Sequence, residues 1–286
     1  MNSMNKGIES RNISKAFGNT KALDDVSIEF NSNRIYGLLG RNGAGKSTLL
    51  NIITNRIFAD EGEVYVDGEP AKENDRALSK IYLMGEKNNY PENMKIKDIF
   101  KWSKEFYPDF DEEYAYKLAE KFKLDTKKTI KKLSTGYASI AKIIIALSVN
   151  VPYIFLDEPV LGLDANHRDM FYKILIQKYI DNPCTIIVST HLIEEVSNVI
   201  EEIVIINDGK VIRNEATEDL LSKGYTVTGS STKVDEFVAD KKVIGEDVIG
   251  GLKAAYVLGD RPEKTPEGIE ITKLDLQKLF IQLTNM

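Results

Sequence analysis

The sequence predicts an α/β fold in which a mainly parallel sheet carries helices on both faces. Two observations favour it: short apolar runs alternate with amphipathic segments after residue 153, and a glycine-rich turn joins an apolar run to a helix-like segment. The composition is a third observation in favour of this fold, because a chain of 286 residues that is 42% hydrophobic can form one large core with a smaller domain attached.

Charge and cysteine content exclude several classes of partner and location. The formal net charge of −6 gives no general attraction to phosphates, so we expect no nucleic-acid partner. Cys184 is the only cysteine, which excludes a disulfide within the chain. Its apolar surroundings predict a buried strand position, and with no charged-then-apolar N-terminal segment the cytoplasm is favoured. The most apolar stretch, residues 140–156, is interrupted by Asn150 and Pro152, so we expect membrane association only through a partner.

The first part of the chain is predicted to be a β-rich edge followed by a strand, a loop and a helix. Alternating apolar runs at 26–30 and 64–66 predict strands. The apolar run 34–40 then enters a glycine-rich turn, and the periodic segment 46–54 predicts a helix directly after it.

The next part is predicted to be a helical insert at about 87–150, because apolar residues recur there at helical spacing. After it, strands and helices alternate; the predicted strands are 153–156, 185–189 and 203–206, and the helices 165–180 and 192–200. A turn at 207–210 and a short helix close a main domain of residues 1–223. Residues 224–286 mix β-like pieces, glycine-rich turns and a final helix, so we assign them to a small accessory α/β domain.

The segment GRNGAGKST at 40–48 fits the full pattern G-x-x-x-x-G-K-[ST] between a predicted strand and a predicted helix. Glycines let backbone N–H groups close on a phosphate, and the helix N-terminus adds positive dipole. We expect Lys46 to reach the β- and γ-phosphates of ATP and Ser47 to ligate Mg²⁺. The other positions expected to contact the nucleotide are Gly40, Asn42, Gly43, Gly45 and Thr48. The alternative is a chance glycine-rich turn.

The segment YIFLDEP at 153–159 predicts a buried strand with two carboxylates at its carboxyl end, where open α/β sheets place their ligands. Asp157 suits the Mg²⁺ shell. Glu158, expected to point the other way on an extended chain, is a candidate to polarise the attacking water. The alternative is a solvated turn that ends the strand before a proline.

One of the two histidines stands where a strand gives way to a helix, in the segment STH at 189–191. The imidazole of His191 is a candidate to donate to the γ-phosphate and to position the water of Glu158. The alternative is a helix-capping residue. His167 lies among polar residues of a predicted helix and is expected at the surface.

Five ordered motifs resemble the ATP-binding cassette (ABC) family over residues 7–223: the phosphate loop, LSTGY at 133–137, YIFLDEP, LGLD at 161–164, and STH. The resemblance implies a P-loop NTPase core of ABC type with an antiparallel β edge, a helical insert, and hydrolysis of ATP with Mg²⁺. It also implies that Ser134 and Gly136 hold the γ-phosphate of ATP bound to the opposite subunit, and that Asp164 couples the two sites.

The resemblance further places the ring of Phe17 under the adenine, whereas the residue pattern alone favours a core position. Two departures from the family stand out. Thr135 and Tyr137 replace a glycine and a glutamine of the usual LSGGQ segment. Glu86 stands where the family has the glutamine that senses Mg²⁺ and faces the membrane partner, and a carboxylate there can still ligate Mg²⁺ but adds charge beside the phosphates.

The partners are implied by the same resemblance. It implies a head-to-tail dimer of nucleotide-binding subunits, homomeric or heteromeric, docked on a polytopic transmembrane permease at the cytoplasmic face of the membrane. The terminal run LDLQKLFIQLT, with the substitutions above, resembles ATPases of ABC-2 type exporters of drugs, antibiotics and peptides, including amphipathic toxins such as phenol-soluble modulins. The alternatives are a soluble cassette of a non-transport assembly and a nucleotide-binding regulator without turnover.

Overall fold

The structure, a computed structural model, describes residues 7–262 and 264–285. At its centre lies a six-stranded sheet of order β10-β9-β3-β8-β7-β6, numbered in chain order, with β10 antiparallel at one edge and the other pairs parallel. Its strands are β3 (Ile35–Leu39), β6 (Ile81–Met84), β7 (Tyr153–Asp157), β8 (Thr185–Thr190), β9 (Glu202–Asn207) and β10 (Lys210–Ala216). The predicted mainly parallel α/β sheet is confirmed.

Helices bury both faces of this sheet. They include α1 (Lys46–Ile53), α5 (Thr135–Ser148), α6 (Ala165–Asp181) and α7 (Ile193–Val196). All five residues of β7 are buried, and their alternation divides them between two cores. Ile154 and Leu156 pack with the helical insert, whereas Tyr153 and Phe155 pack toward α1.

An antiparallel sheet of order β2-β1-β4-β5 forms the predicted β-rich edge. Its strands are β1 (Gly7–Phe17), β2 (Thr20–Asn31), β4 (Glu61–Val66) and β5 (Glu69–Pro70), and the short helix α2 (Asp75–Leu78) follows. Asp67, after β4, accepts hydrogen bonds from the Tyr153 hydroxyl and, at 2.7 Å, from Lys80 Nζ. These contacts fix the antiparallel sheet on the central one.

The predicted helical insert contains α3 (Ile96–Phe106), α4 (Glu112–Lys121) and the whole of α5. Asp111 caps α4, because its Oδ1 accepts from the Tyr114 N–H at 2.8 Å. Ten residues of α5 are buried, and this helix joins the insert to the central sheet. The insert thereby holds the start of α5 at the surface, next to the loop after β7.

The last part of the described chain forms a third sheet of order β12-β13-β11-β14. Its elements follow α8 (Thr217–Ser222) and are β11 (Gly224–Ser230), α9 (Ser231–Val238), β12 (Lys242–Ile249), β13 (Leu252–Leu258), β14 (Ile269–Lys273) and α10 (Leu276–Thr284). The sheet has a small core of its own, but Leu276, Leu279 and Phe280 of α10 pack into the main core. The domain division at residue 223 stays a prediction.

Three local expectations differ in detail from the structure. The helix predicted at 192–200 is only one turn, because after it the Ser197 hydroxyl bonds the Glu194 carbonyl at 2.9 Å and the chain continues in turns. Cys184 is buried as expected but lies one residue before β8. His167 is partly buried, since its ring stacks on Phe122 with centroids 6.1 Å apart. Within residues 7–262 and 264–285, no helix has the length and apolarity needed to cross a membrane.

Candidate functional site

The phosphate loop adopts a conformation that requires glycine. Gly45 precedes α1 with φ of 107°, and a Cβ there would lie 2.5 Å from the Ala22 carbonyl oxygen. Gly43 has φ of 84°. Because α1 then begins at Lys46 without a side-chain cap, its first-turn N–H groups have no capping partner. They form an anion cradle at the carboxyl end of β3.

Lys46 is buried within this loop. Its ammonium donates to the Gly40 carbonyl at 2.6 Å and to the Arg41 carbonyl at 3.3 Å. Burial lowers the pKa of Lys46, and the carboxylates of Glu158 and Asp157 act in the opposite direction. Because both present acceptors are neutral carbonyls, an anionic phosphate oxygen would be the stronger partner for this ammonium.

The two carboxylates after β7 have different surroundings. Asp157 is buried, and Ser189 Oγ donates to its Oδ1 at 2.9 Å. Glu158 has φ of 48°, so the expectation of an extended chain at this residue is wrong. The strand ends at Asp157, the Glu158 N–H bonds the Ser189 carbonyl at 2.8 Å, and the backbone turns. A left-handed non-glycine residue costs roughly 1–3 kcal/mol and persists where its neighbours determine it.

Both oxygens of the Glu158 carboxylate are held by residues at the carboxyl end of β8. Oε1 lies 2.8 Å from His191 Nδ1, and Oε2 accepts from Thr190 Oγ1 at 3.1 Å. Thr190 Oγ1 in turn accepts from the Leu192 N–H at 3.0 Å, and α7 begins after Leu192 without a side-chain cap, so neither Thr190 nor His191 caps it. The carboxylate and the imidazole form a hydrogen-bonded pair, with Nε2 directed away from Glu158. Sequence reasoning did not single out Thr190.

These groups surround a cleft of about 450 Å³. Its lining residues are Ala22, Asn42, Gly43, Ala44, Gly45, Lys46, Ser47, Thr48, Glu86, Glu158, Leu161 and His191. Two predicted site residues lie behind this surface. Asp157 is buried beneath Ser189, and Gly40 lies where a Cβ would be 2.6 Å from the Ile206 carbonyl oxygen.

The cleft fits a triphosphate with Mg²⁺. Ser47, at the uncapped start of α1, is exposed to it. Across residues 7–262 and 264–285, no group of three or more His, Cys, Asp or Glu could enclose a metal ion. Magnesium bound to nucleotide phosphates characteristically takes only one or two protein ligands and keeps its waters. A hydroxyl beside the phosphate cradle, with carboxylates nearby, is a donor set of that kind.

Phe17 lies at the end of β1, in the hairpin whose next strand supplies Ala22 to the cleft. Its side chain is 52% exposed, so the core position considered for it is wrong. Lys15 Nζ stands 5.6 Å from the ring centroid. The ring is therefore available as a flat surface on the hairpin that also supplies Ala22 to the cleft.

Three predicted residues lie outside the cleft, at the starts of two helices. Ser134 caps α5, because its Oγ accepts from the Tyr137 N–H at 3.3 Å. Asp164 caps α6 by accepting from the His167 N–H at 2.9 Å, and its other oxygen lies 2.9 Å from His167 Nδ1. These contacts with His167 lower the pKa of Asp164.

A Cβ on Gly136 would lie 2.7 Å from the Gly162 carbonyl oxygen, so the two helix starts pack closely. Ser134, Gly136 and Asp164 together are called the helix-start face below.

Glu86 borders the cleft from the loop after β6. Lys142 of α5 donates to the Glu86 carbonyl at 2.5 Å and to the Gly85 carbonyl at 3.1 Å. The sequence analysis did not single out Lys142. Its position within the apolar run 140–147 indicates a buried lysine, which needs a partner.

A second, larger cavity of about 650 Å³ lies beside this loop, between the central sheet and the helical insert. Aromatic and apolar side chains dominate its lining, which includes Tyr82, Met84, Tyr90 and Tyr107. Trp102 and Phe106 of α3 stand at its border, 53% and 74% exposed, with their rings stacked 6.1 Å apart. It is called the apolar groove below.

Comparisons with a family model and with known proteins all match this chain to ABC transporter proteins. Residues 23–161 match the family described as ABC transporter. The ABC transporter ATP-binding protein YtrB of Bacillus subtilis is 30% identical over 76% of this chain and 74% of its own length. The uncharacterized ABC transporter ATP-binding protein MJ1023 of Methanocaldococcus jannaschii is 31% identical over 90% of this chain and 98% of its own.

Two further comparisons bear on direction and assembly. The petrobactin import ATP-binding protein YclP of Bacillus subtilis is 29% identical over 75% of this chain and 88% of its own. A dimeric structure of a post-hydrolysis state of the ATP-binding cassette MJ0796, bound to ADP and Pi, superimposes with a TM-score of 0.65 at 25% identity. It covers 73% of this chain and 98% of that one.

Proposed function

The chain belongs to the family of ABC transporter ATP-binding proteins, and from this premise we propose that it powers a membrane transporter through ATP-driven dimerisation. Proteins of this family bind ATP with Mg²⁺ and hydrolyse it, and so does this chain. The observation that carries the proposal is the position of the Glu158–His191 pair beside the phosphate cradle.

Each cleft residue has a proposed task. The first-turn N–H groups of α1 and the ammonium of Lys46 bind the β- and γ-phosphates, while Asn42 and Thr48 complete the cradle and Phe17 stacks on the adenine. Ser47, Asp157 and Glu86 are the candidates to hold Mg²⁺ directly or through water, and the ion would neutralise charge on the phosphates.

The hydrolytic step is assigned to Glu158 and His191. The carboxylate of Glu158, fixed by Thr190 and His191, accepts a hydrogen bond from the attacking water and orients it. The imidazole of His191 donates its Nδ1–H to the carboxylate of Glu158, and in the doubly protonated imidazolium form Nε2 also carries a proton that it donates toward the γ-phosphate. The left-handed turn at Glu158 brings this carboxylate to the cleft.

We propose that the helix-start face completes the cleft of a second copy. One chain supplies both halves, so a two-fold dimer of identical chains creates two complete sites. Ser134 and Gly136 stand at the N-terminus of a 14-residue helix, which favours an anion there. Asp164, at the adjacent helix start, would then couple the two sites across the interface.

We propose that the apolar groove receives a polytopic permease subunit at the cytoplasmic face of the membrane. Trp102 and Phe106 are exposed beside a cavity lined mainly by aromatic and apolar side chains. A surface of this kind is typically covered by a helix of a partner protein. Closure of the dimer would move the groove through the Glu86 loop, which borders both cavities.

The finer proposal is export of an amphipathic peptide, toxin or antibiotic. It rests on the resemblance of the terminal run to exporter ATPases and on the substitutions in LSTGY and at Glu86. Relatives named for import, such as YclP, mean that direction needs its own test. Uptake and efflux of a labelled amphipathic peptide in vesicles with the co-purified permease would decide it, and ATP-dependent movement toward the cytoplasmic side would contradict export.

Capture of the permease tests the transport proposal against the soluble alternatives. Detergent-solubilised membranes should yield a polytopic membrane protein with the tagged wild type, and about tenfold less with Trp102→Ala, because the aromatic anchor is lost. Phe58→Ala is the control, since Phe58 is 51% exposed but lies outside the groove. Recovery of soluble proteins only would favour an assembly ATPase, and an absence of MgATP hydrolysis would favour a regulator.

A further inference from the structure

We propose that Lys142 is a positioning residue of the ATP site, holding the loop of Glu86 to α5 and offsetting the charge of the Glu86 carboxylate. The inference rests on the proposed function, because it concerns how the same cleft binds its substrate.

The position of Lys142 is unusual for a lysine. It lies in the middle of α5 with Ile140, Ile143 and Ile144 on the same buried helix, and it is only 8% exposed itself. Lysine is rarely buried without a partner, because desolvation of an ammonium costs several kcal/mol unless it is paired or hydrogen-bonded. Packing alone therefore does not account for a lysine here.

The ammonium of Lys142 joins two functional regions. It donates to the carbonyl oxygens of Gly85 and Glu86, the first two residues after β6. Gly85 lines the apolar groove and Glu86 lines the ATP cleft, while Lys142 itself lines the groove. A single side chain thus connects α5, whose start belongs to the helix-start face, to the loop between the two cavities.

Charge gives Lys142 a second task. The carboxylates of Glu86 and Glu158 line a cleft that has the buried Asp157 behind its surface and contains one lysine, Lys46, in its lining. A triphosphate adds further negative charge, so an uncompensated Glu86 would repel it. Burial lowers the pKa of Lys142, while the charges of Glu86 and Asp157 act in the opposite direction, which places the ammonium within their field.

Lys178 provides a matched control. It is buried to a similar degree in α6, burial lowers its pKa, and its Nζ donates to Asn150 Oδ1 at 3.1 Å. It lines neither the cleft nor the groove. A loss that stems only from removing a buried ammonium should therefore appear equally in Lys142→Met and Lys178→Met.

The test measures KM and kcat for MgATP, with thermal unfolding, in five proteins: wild type, Lys142→Met, Lys178→Met, Glu86→Gln, and the double variant of Lys142→Met with Glu86→Gln. Lys142→Met should raise KM about fivefold, the size expected for one partly screened charge pair, and should lower kcat. Adding Glu86→Gln should restore KM to within about twofold of wild type while kcat stays low, since the charge is removed but the loop stays untethered. Lys178→Met should leave KM unchanged.

Three results would overturn the inference: an unchanged KM in Lys142→Met, a raised KM that Glu86→Gln does not reverse, or an equal rise in Lys178→Met. If Lys142→Met does not fold, two other variants decide. Lys142→Arg should keep KM within about twofold, and Glu86→Gln alone should lower it about threefold, because Lys142 then faces the phosphates unopposed. An unchanged KM in Glu86→Gln would contradict the inference. A wild type that hydrolyses no MgATP would contradict the proposed function instead.

Discussion

The ATP cleft and the helix-start face are both proposed to contact phosphate, but they are built differently. The cleft is assembled from distant parts of the chain, since Glu158 follows β7 and is held by Thr190 and His191 at the carboxyl end of β8. Ser134 and Asp164 are exposed and held by capping bonds to residues three positions away. The cleft is thus organised within one chain, whereas the helix-start face presents local structure outward.

This difference implies that the cleft and the helix-start face contribute to different steps of the reaction. Binding of ATP should depend on the cleft of one chain alone, while hydrolysis should need the helix-start face of another. Variants of the two regions should therefore separate affinity from turnover.

The largest effect is expected from Glu158→Gln. Removing the carboxylate that orients water should lower kcat by about 100-fold or more, while ATP affinity changes little. Phosphate release and binding of a fluorescent ATP analogue measure the two quantities. Glu194→Gln, an exposed residue of the neighbouring α7, is the control. Retention of wild-type kcat in Glu158→Gln would remove Glu158 from the reaction.

A smaller effect, on affinity, is expected from Lys46→Ala. The variant loses the one ammonium that lines the cleft, and a charge-assisted bond to phosphate of roughly 2 kcal/mol corresponds to about 30-fold weaker ATP binding. Isothermal titration with MgATP would show it. Similar affinity in Lys46→Ala and wild type would place the phosphates elsewhere.

Gly136→Ala should separate turnover from affinity. The added Cβ would approach the Gly162 carbonyl oxygen to 2.7 Å and displace the two helix starts, so hydrolysis should fall about tenfold. Affinity of the single chain for ATP should stay unchanged. If the affinity for ATP falls in Gly136→Ala as much as hydrolysis does, the proposed difference between the cleft and the helix-start face is wrong.

The smallest effect is expected from Asp164→Ala, which removes the cap of α6. The unfolding temperature should fall by about 2 °C at pH 7. Because contacts with His167 lower the pKa of Asp164 below the usual 3.8, their stabilisation is present above that value and is lost as pH falls through the folded-state pKa. The difference from wild type, measured by calorimetry, should therefore shrink below about pH 4.

The sequence predicted the features that depend on local pattern. The phosphate loop is recognisable because its backbone requires glycine, as the positive φ of Gly45 beside Ala22 shows. Strand β7 is recognisable because all five of its residues are buried, which an apolar run predicts. The hydrogen-bonded cap at Ser134 begins α5, which lies within the predicted helical insert.

What the sequence did not reveal depends on contacts between distant residues. The turn at Glu158 is set by Ser189 and Thr190, more than thirty positions away, so alternation along β7 did not reveal that the extended backbone ends at Asp157. The ring of His167 is covered by Phe122 from another helix, and Lys142 finds its acceptors after β6. A periodic pattern records which residues are buried, but not which partners they meet.

The division between the two regions is tested most directly by sedimentation velocity of Glu158→Gln with and without MgATP. Bound ATP that cannot be hydrolysed should hold two chains together, because each cleft is closed by the helix-start face of the other copy. We expect a dimer with MgATP and a monomer without nucleotide. A Glu158→Gln protein that binds ATP but remains a monomer would contradict it.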